Sequence, residues 1–407
     1  MRILLIPLVY LLVVSYTDTH PTDGLALTFS EQFNPPALNT SVWNYGYPWG
    51  SYHNHRANTV PRQAKITPEG YLNISAIRER TITLGILTDF GPIDLDFTSG
   101  AVNTNGKFCI KNGYVEVNLR ASDVQSTWPS VYLIGEDQTT VPMITIMEVF
   151  NSRSRFTYGF RYANDQATAE DESYTADNRE TSSGFHRFGV DWGYDQITWY
   201  YDDQWVKTIV KSNELKQVDN MCLVISFGVG GKSKDTPIDP RAYPTLMSVD
   251  WIEMWQPKYD GFYKFENTHT GFVMEIESAL TTERARVLQW HDNGGDWQKW
   301  HVQYAGHGQY RIFAAHSRQA LDAYGWQTNN GAPLIQAVYH AGDNQLWKIN
   351  EVDGSPGVVQ LISVHSLNQP GPGKLVSVPA SSTDAGIQLH LWEEVNNADQ
   401  KWKMIRL

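Results

Sequence analysis

The sequence predicts an all-β protein of two domains, a sandwich followed by a threefold β structure. Between about residues 25 and 257 the chain runs in short alternating or β-branched stretches, broken by Gly, Pro, Asn and Asp. No segment there holds an apolar face at helical spacing for long, which excludes a helical domain. Beyond residue 258 the texture changes, and a Gln-x-Trp triplet recurs at Gln298-Lys299-Trp300, Gln345-Leu346-Trp347 and Gln400-Lys401-Trp402. The intervals are 47 and 55 residues, as expected of three copies of one β unit.

The elements follow in order. Met1 and Arg2 precede an apolar run, Ile3 to Val14, that ends in small or polar residues about Ser15. Residues 1–15 therefore read as a secretory signal peptide and imply an extracellular protein, with an uncleaved anchor as the alternative. The run is too short to cross a bilayer, and no later stretch nears the ~20 apolar residues a span needs. Asn39 and Asn73 each open an Asn-x-Ser glycosylation triplet. The sandwich, residues 24–257, contains strand patterns such as Tyr71–Ile77, Gly113–Leu119, Ile197–Tyr201 and Leu223–Phe227, and closes on Met247–Trp255. Gln256-Pro257-Lys258 reads as a short linker to the second domain, residues 258–407. Cys109 and Cys222, the only cysteines, either bridge two strands or are two small buried residues.

Composition narrows the function. With 407 residues, 41% hydrophobic and 19% charged, the chain can fill two cores. A formal charge of -12 argues against nucleic acid or an anionic membrane as the main partner. Aromatics make up 13% of residues, including 15 Trp and 21 Tyr, a surplus suited to surfaces that stack on sugars. Oligomeric state leaves no signature.

A second register accompanies the triplets. Glu275 to Trp290, Asp322 to Ala337 and Ser377 to Trp392 are each 15 apart, and each later residue precedes its triplet's Gln by eight. This double pattern resembles the ricin-type β-trefoil lectins over about 150 residues. The resemblance implies that the Gln and Trp of each triplet pack the trefoil core. It also implies that each active repeat pairs an acid and a ring with an Asn or Asp before the Gln. A sugar presents a polar rim and an apolar face, so its pocket needs both kinds of group. The first repeat carries Glu275 and Trp290, but Trp297 where Asn is expected. The second carries Asp322 and Asn344, with Ala337 in place of the ring and Tyr339 nearby. The third carries Trp392 and Asp399, with Ser377 in place of the acid. The first repeat is the leading sugar site.

The sandwich resembles the concanavalin-like jelly roll of glycoside hydrolase family 16, which includes laminarinases and other β-glucanases. The resemblance rests on Phe29–Phe33, Thr98–Val102, Gly113–Val117, Thr127–Leu133, Phe185–Trp192, Ile197–Asp203 and Val249–Ile252. Family members carry E-x-D-x-x-E on one strand, the first Glu as nucleophile and the last as acid/base. Retaining hydrolysis requires those two carboxyl groups about 5 Å apart. Residues five apart point to opposite faces of a regular strand, so this spacing predicts a bulge. Here the stretch is Met143-Ile-Thr-Ile-Met-Glu148. Glu148 holds the acid/base position, whereas Met143 and Thr145 replace the nucleophile and the Asp, so family-type hydrolysis is expected to be absent. Glu136 and Asp137, on the loop just before the strand, are the nearest carboxylates for a rescue through a water. The His-aromatic pair that often follows is replaced by Arg161-Tyr162. Trp128 and Tyr132 are expected to line the cleft, beside Met143 and Thr145 as further contacts, while Trp192 and Trp199 are expected in the core.

The resemblance requires no cofactor. It does carry a structural Ca²⁺ option, with Asp250 as one ligand among the six or more that Ca²⁺ needs. The leading reading is a secreted protein that binds a β-glucan-type polysaccharide through a silenced glucanase-like cleft and a lectin domain. One rival is an active hydrolase using Glu148 with an unorthodox partner. The other is a structural extracellular protein whose sugar sites have decayed.

Overall fold

The computed structural model describes residues 21–50, 52–53, 56–84, 92–137, 141–150, 152–163, 169–216, 218–231 and 237–407. The signal-peptide reading of residues 1–15 lies outside them. The described chain divides into two compact units, one of Gly24–Tyr259 with Tyr304–Gly308, the other of Asp260–Gln303 with Gln309–Leu407. Among the described residues no helix is long and apolar enough to cross a membrane.

The first unit is a sandwich of two sheets. The outer sheet runs Gln204–Val210, Gln196–Tyr201, His186–Trp192, Gly113–Arg120, Thr245–Pro257, Leu72–Leu84, Pro92–Ser99 in spatial order. The inner sheet runs Ala169–Asp177, Arg155–Ala163, Met143–Glu148, Thr127–Gly135, Met221–Val229, Ala101–Asn103. Sequence neighbours are often not spatial neighbours, the mark of jelly-roll crossovers. Alternation assigns the faces. Val131, Leu133, Ile144, Phe156, Tyr158, Phe160, Ile225 and Phe227 enter one core with Val115, Val117, Phe188, Trp192 and Trp199 of the opposing sheet. Trp192 and Trp199 are fully buried, as the sequence suggested. Each satisfies its indole N–H on a backbone carbonyl, of Lys111 and Thr145 respectively.

Cys109 and Cys222 stand opposite each other on paired strands and form a disulfide that closes a separation of 113 residues. The expected linker is shorter than the sequence suggested. Gln256 and Pro257 belong to the last sandwich strand, opposite Ala26 and Leu25. A proline is tolerated there because the strand ends with it.

The second unit repeats one hydrogen-bond scheme three times. Trp300, Trp347 and Trp402 are fully buried. Each donates its indole N–H to a carbonyl 26 residues earlier, on Met274, Leu321 and Val376. Gln298, Gln345 and Gln400 are equally buried. Each accepts from the backbone N–H five residues back, on Asn293, His340 and Val395. Each also donates to the carbonyl seven residues back, on His291, Val338 and Glu393. The triplets thus clamp each repeat's hairpin and are spent on structure. A buried primary amide demands this, since each unpaired donor or acceptor would cost about 1–3 kcal/mol.

Candidate functional sites

The sandwich's candidate site is the open face of the inner sheet. On the Met143–Glu148 strand Ile144, Ile146 and Met147 are buried, while Met143, Thr145 and Glu148 are half-exposed. Two successive buried residues mean that the alternation slips once. The register confirms the slip on both sides, between Val131 and Tyr132 on one neighbour and between Thr145 and Glu148 against the other. The bulge expected from the five-residue spacing is therefore present, and it turns Glu148 onto the face that holds Met143 and Thr145. Trp199 reaches from the core to donate to the Thr145 carbonyl at 2.8 Å, bracing the strand where the ladder is interrupted.

Around Met143 the floor is apolar. Tyr47, Ala101, Tyr132, Ile134 and Val224 form a cluster with Trp49 and Met143 packed against it. Tyr47 and Trp49 stack at 5.2 Å, and the thioether is a natural filler beside such rings. Tyr132 is buried and forms part of this floor, on the face where the sequence expected it. Burial pushes the Tyr47 phenol up to about 12 and that of Tyr132 well above its usual value. Both stay neutral at physiological pH and offer no base. Trp128 is half-buried on the same face, its ring 4.8 Å from that of Phe150. Tyr47 and Trp49 were missed, although the run Tyr45-Gly-Tyr47-Pro-Trp49 in turn-rich sequence was a signal for them.

The candidate rescuing acids lie far off. Ser130 is opposite Glu148, and Glu136 is six residues farther along, about 20 Å at ~3.3 Å per residue. An inverting pair needs about 6.5–9.5 Å. Glu136 accepts instead from Asn220 at 3.1 Å, in a hollow shared with Asp137 and Asp219. On the outer sheet, Asp250 accepts from the Asn118 amide at 2.9 Å. No group of three His, Cys, Asp or Glu side chains gathers among the described residues. These side chains do not by themselves fit a Ca²⁺ site, so no role is assigned to the ion.

The three trefoil repeats build three versions of one polar arrangement. In the first, Glu275 is buried and accepts from Gln298 at 2.7 Å. Burial raises its carboxyl, against the opposing hydrogen bonds of Gln298 and Trp297. Trp297 stands where the second repeat has Asn344. Trp290 is exposed and pairs with Val273, diagonal to Glu275 across the hairpin. In the second, Asp322 accepts from Asn344 at 3.0 Å and from Gln345 at 2.9 Å, and burial raises its carboxyl. Tyr339 packs on Phe313 and Arg311. An exposed ring does stand nearby: Trp326, 49% exposed, stacks on His340 at 5.7 Å, and His340 lies 3.9 Å from Asp322. Its place four residues after Asp322, on a turn at φ 59°, was the sequence signal. In the third, Ser377 donates to Asp399 at 3.0 Å, so acid and partner have exchanged positions and one carboxylate remains. Trp392 stacks on His390 at 5.0 Å. Asn344 Oδ1 and Asp399 Oδ1 are buried acceptors with no partner among the described residues, at equivalent positions of two repeats.

Comparison with known proteins agrees with this geometry. Residues 56–253 match the glycosyl hydrolases family 16, and residues 252–337 and 343–407 match the ricin-type beta-trefoil lectin domain-like family. The chain is 25% identical over 247 residues to the endo-1,3-1,4-beta-glycanase ExsH of Rhizobium meliloti, covering 57% of this chain and 52% of that protein. It is 25% identical over 278 residues to glucan endo-1,3-beta-glucosidase A1 of Niallia circulans, covering 58% and 39%. It thus spans about half the length, or less, of these curated relatives. Among solved structures, a variant of LamA from Z. galactanivorans in complex with laminaritriose and laminaritetraose superposes with a TM-score of 0.50 at 20% identity, over 56% of this chain and 98% of that one. At that identity the likeness shows the fold alone. Bulged strand, jelly-roll order and threefold clamp meet in one conclusion: this chain joins a glycosyl hydrolase family 16 domain to a ricin-type β-trefoil lectin-like domain.

Proposed function

We propose that this is a secreted carbohydrate-binding protein that holds a β-glucan-type polysaccharide in a catalytically impaired glucanase-like groove and adds lectin pockets in its trefoil. One observation carries the reading: the bulged Met143–Glu148 strand keeps its geometry and its last carboxylate, while a thioether and a hydroxyl occupy the other two positions. A thioether cannot form a glycosyl ester, and a lone acid/base without a nucleophile lacks the first step of retaining hydrolysis. The groove keeps what binding needs, an aromatic wall at Trp128 and a firm floor. The orphaned acceptors of Asn344 and Asp399 suit sugar hydroxyl donors. Secretion is supported by the disulfide, which favours an oxidising compartment. Of the two glycosylation triplets, Asn39 is exposed, whereas Asn73 accepts from Ser248 at 2.8 Å within a strand. Glycosylation is therefore assigned to Asn39 first.

The test is retention of the purified full chain on insoluble β-1,3-glucan. Wild type should be retained, and Trp128→Ala should weaken binding about tenfold, the order expected for loss of one stacking ring. No retention on any insoluble β-glucan would contradict the reading.

A further inference from the structure

Arg161 sits directly opposite Met143 in the ladder between two inner-sheet strands. Phe156, Tyr158 and Phe160 of its strand enter the core, so Arg161 faces the groove with Thr157 and Arg155. It is half-buried beside the apolar floor. Its guanidinium, charged at every relevant pH, makes no hydrogen bond or ion pair among the described residues. The neighbour opposite it on the other side, Asp171, is exposed and forms no ion pair with it. Arg155, likewise unpaired, lines a hollow of about 200 Å³ with Glu148, Phe150 and Thr157. A half-buried cation without a counter-charge is a standing cost, and an incoming anion would remove it. The net charge of -12 makes the local sign the more telling, since it repels a dense polyanion at long range.

We propose that Arg161 binds an anionic substituent, a sulfate ester or a carboxylate, on a glycan lying in the groove, so that the protein prefers sparsely charged glucans to neutral ones. The planar guanidinium offers both groups a two-pronged contact. The proposal rests on the reading that the groove holds a glycan. It puts a positive charge opposite Met143, the position where the family carries its nucleophilic carboxylate.

The experiment compares equilibrium binding of the full chain to laminarin, lightly sulfated laminarin and lightly carboxymethylated laminarin, at low and high salt. The anionic forms should bind roughly tenfold tighter at low salt, the worth of one charge-assisted contact, and the margin should shrink with salt. Arg161→Gln should erase the ratio between anionic and neutral forms. Met143→Glu should do the same, because its carboxylate would neutralise Arg161 from across the ladder. A margin for only one anionic form identifies the group recognised. Equal binding of neutral and anionic forms, or a margin that survives Arg161→Gln, would overturn the proposal while leaving the groove reading intact. If no form binds, or binding is indifferent to Trp128→Ala, the groove reading falls and the proposal with it.

Discussion

Single residues carry the differences from the two families' motifs. Met143 fills a ring-lined floor, Trp297 occupies the position of an expected amide, and Asp399 carries the charge that Ser377 lacks. The first substitution was legible in the sequence because a strict spacing frames it. The place of Trp326 was not, because its ring comes beside His340, near Asp322, from a turn that no spacing rule relates to Ala337. Glu275 offers a test through linkage. Burial raises its carboxyl above the ordinary value of 4.5, so the folded state holds that proton more tightly than the unfolded chain. Its charge is therefore a cost at neutral pH, relieved as pH falls through the raised value and gone below the unfolded one. Glu275→Gln should match or exceed wild type in trefoil melting temperature at pH 7, with the difference fading on acidification, while abolishing sugar contacts of that repeat. Calorimetry across pH decides it, and a variant clearly less stable at pH 7 would show that the charge is stabilising.

At the scale of elements, the bulged strand and the disulfide position the groove. The bulge was legible because a five-residue carboxylate spacing makes no sense on a flat strand, whereas its brace was not, since Trp199 arrives from another sheet. Removing that donor with Trp199→Phe leaves the Thr145 carbonyl unpaired, at a cost of about 1–3 kcal/mol beyond the lost packing. Denaturant melts should show it, and a loss under half a kcal/mol would mean the carbonyl has another donor. The sequence left the two cysteines undecided because strand pairing, not spacing, brings them together. Closing 113 residues, the bridge should contribute about 2–5 kcal/mol. Unfolding of the Cys109→Ala, Cys222→Ala double variant measures this, and an unchanged midpoint would remove the bridge from the stability of the sandwich.

At the scale of the whole molecule, a glucanase-like fold and a lectin-like fold share one chain, and under the proposed function weak sites on one polymer would gain through effective concentration. Both folds were legible because each rests on repeated or ordered motifs: the triplets at fixed offsets for the trefoil, seven segments in sequence for the jelly roll. The floor of the groove was less so, because Tyr47, Trp49 and Arg161 converge from separate strands and turns. The central claim is that an intact groove has lost its chemistry at two positions. The most direct measurement is reducing-sugar release from laminarin and mixed-linkage β-glucan by wild type, Glu148→Gln and the Met143→Glu, Thr145→Asp double variant. Wild type and Glu148→Gln should be silent, and the double variant should turn over. Sugar release by wild type that Glu148→Gln abolishes would contradict the claim.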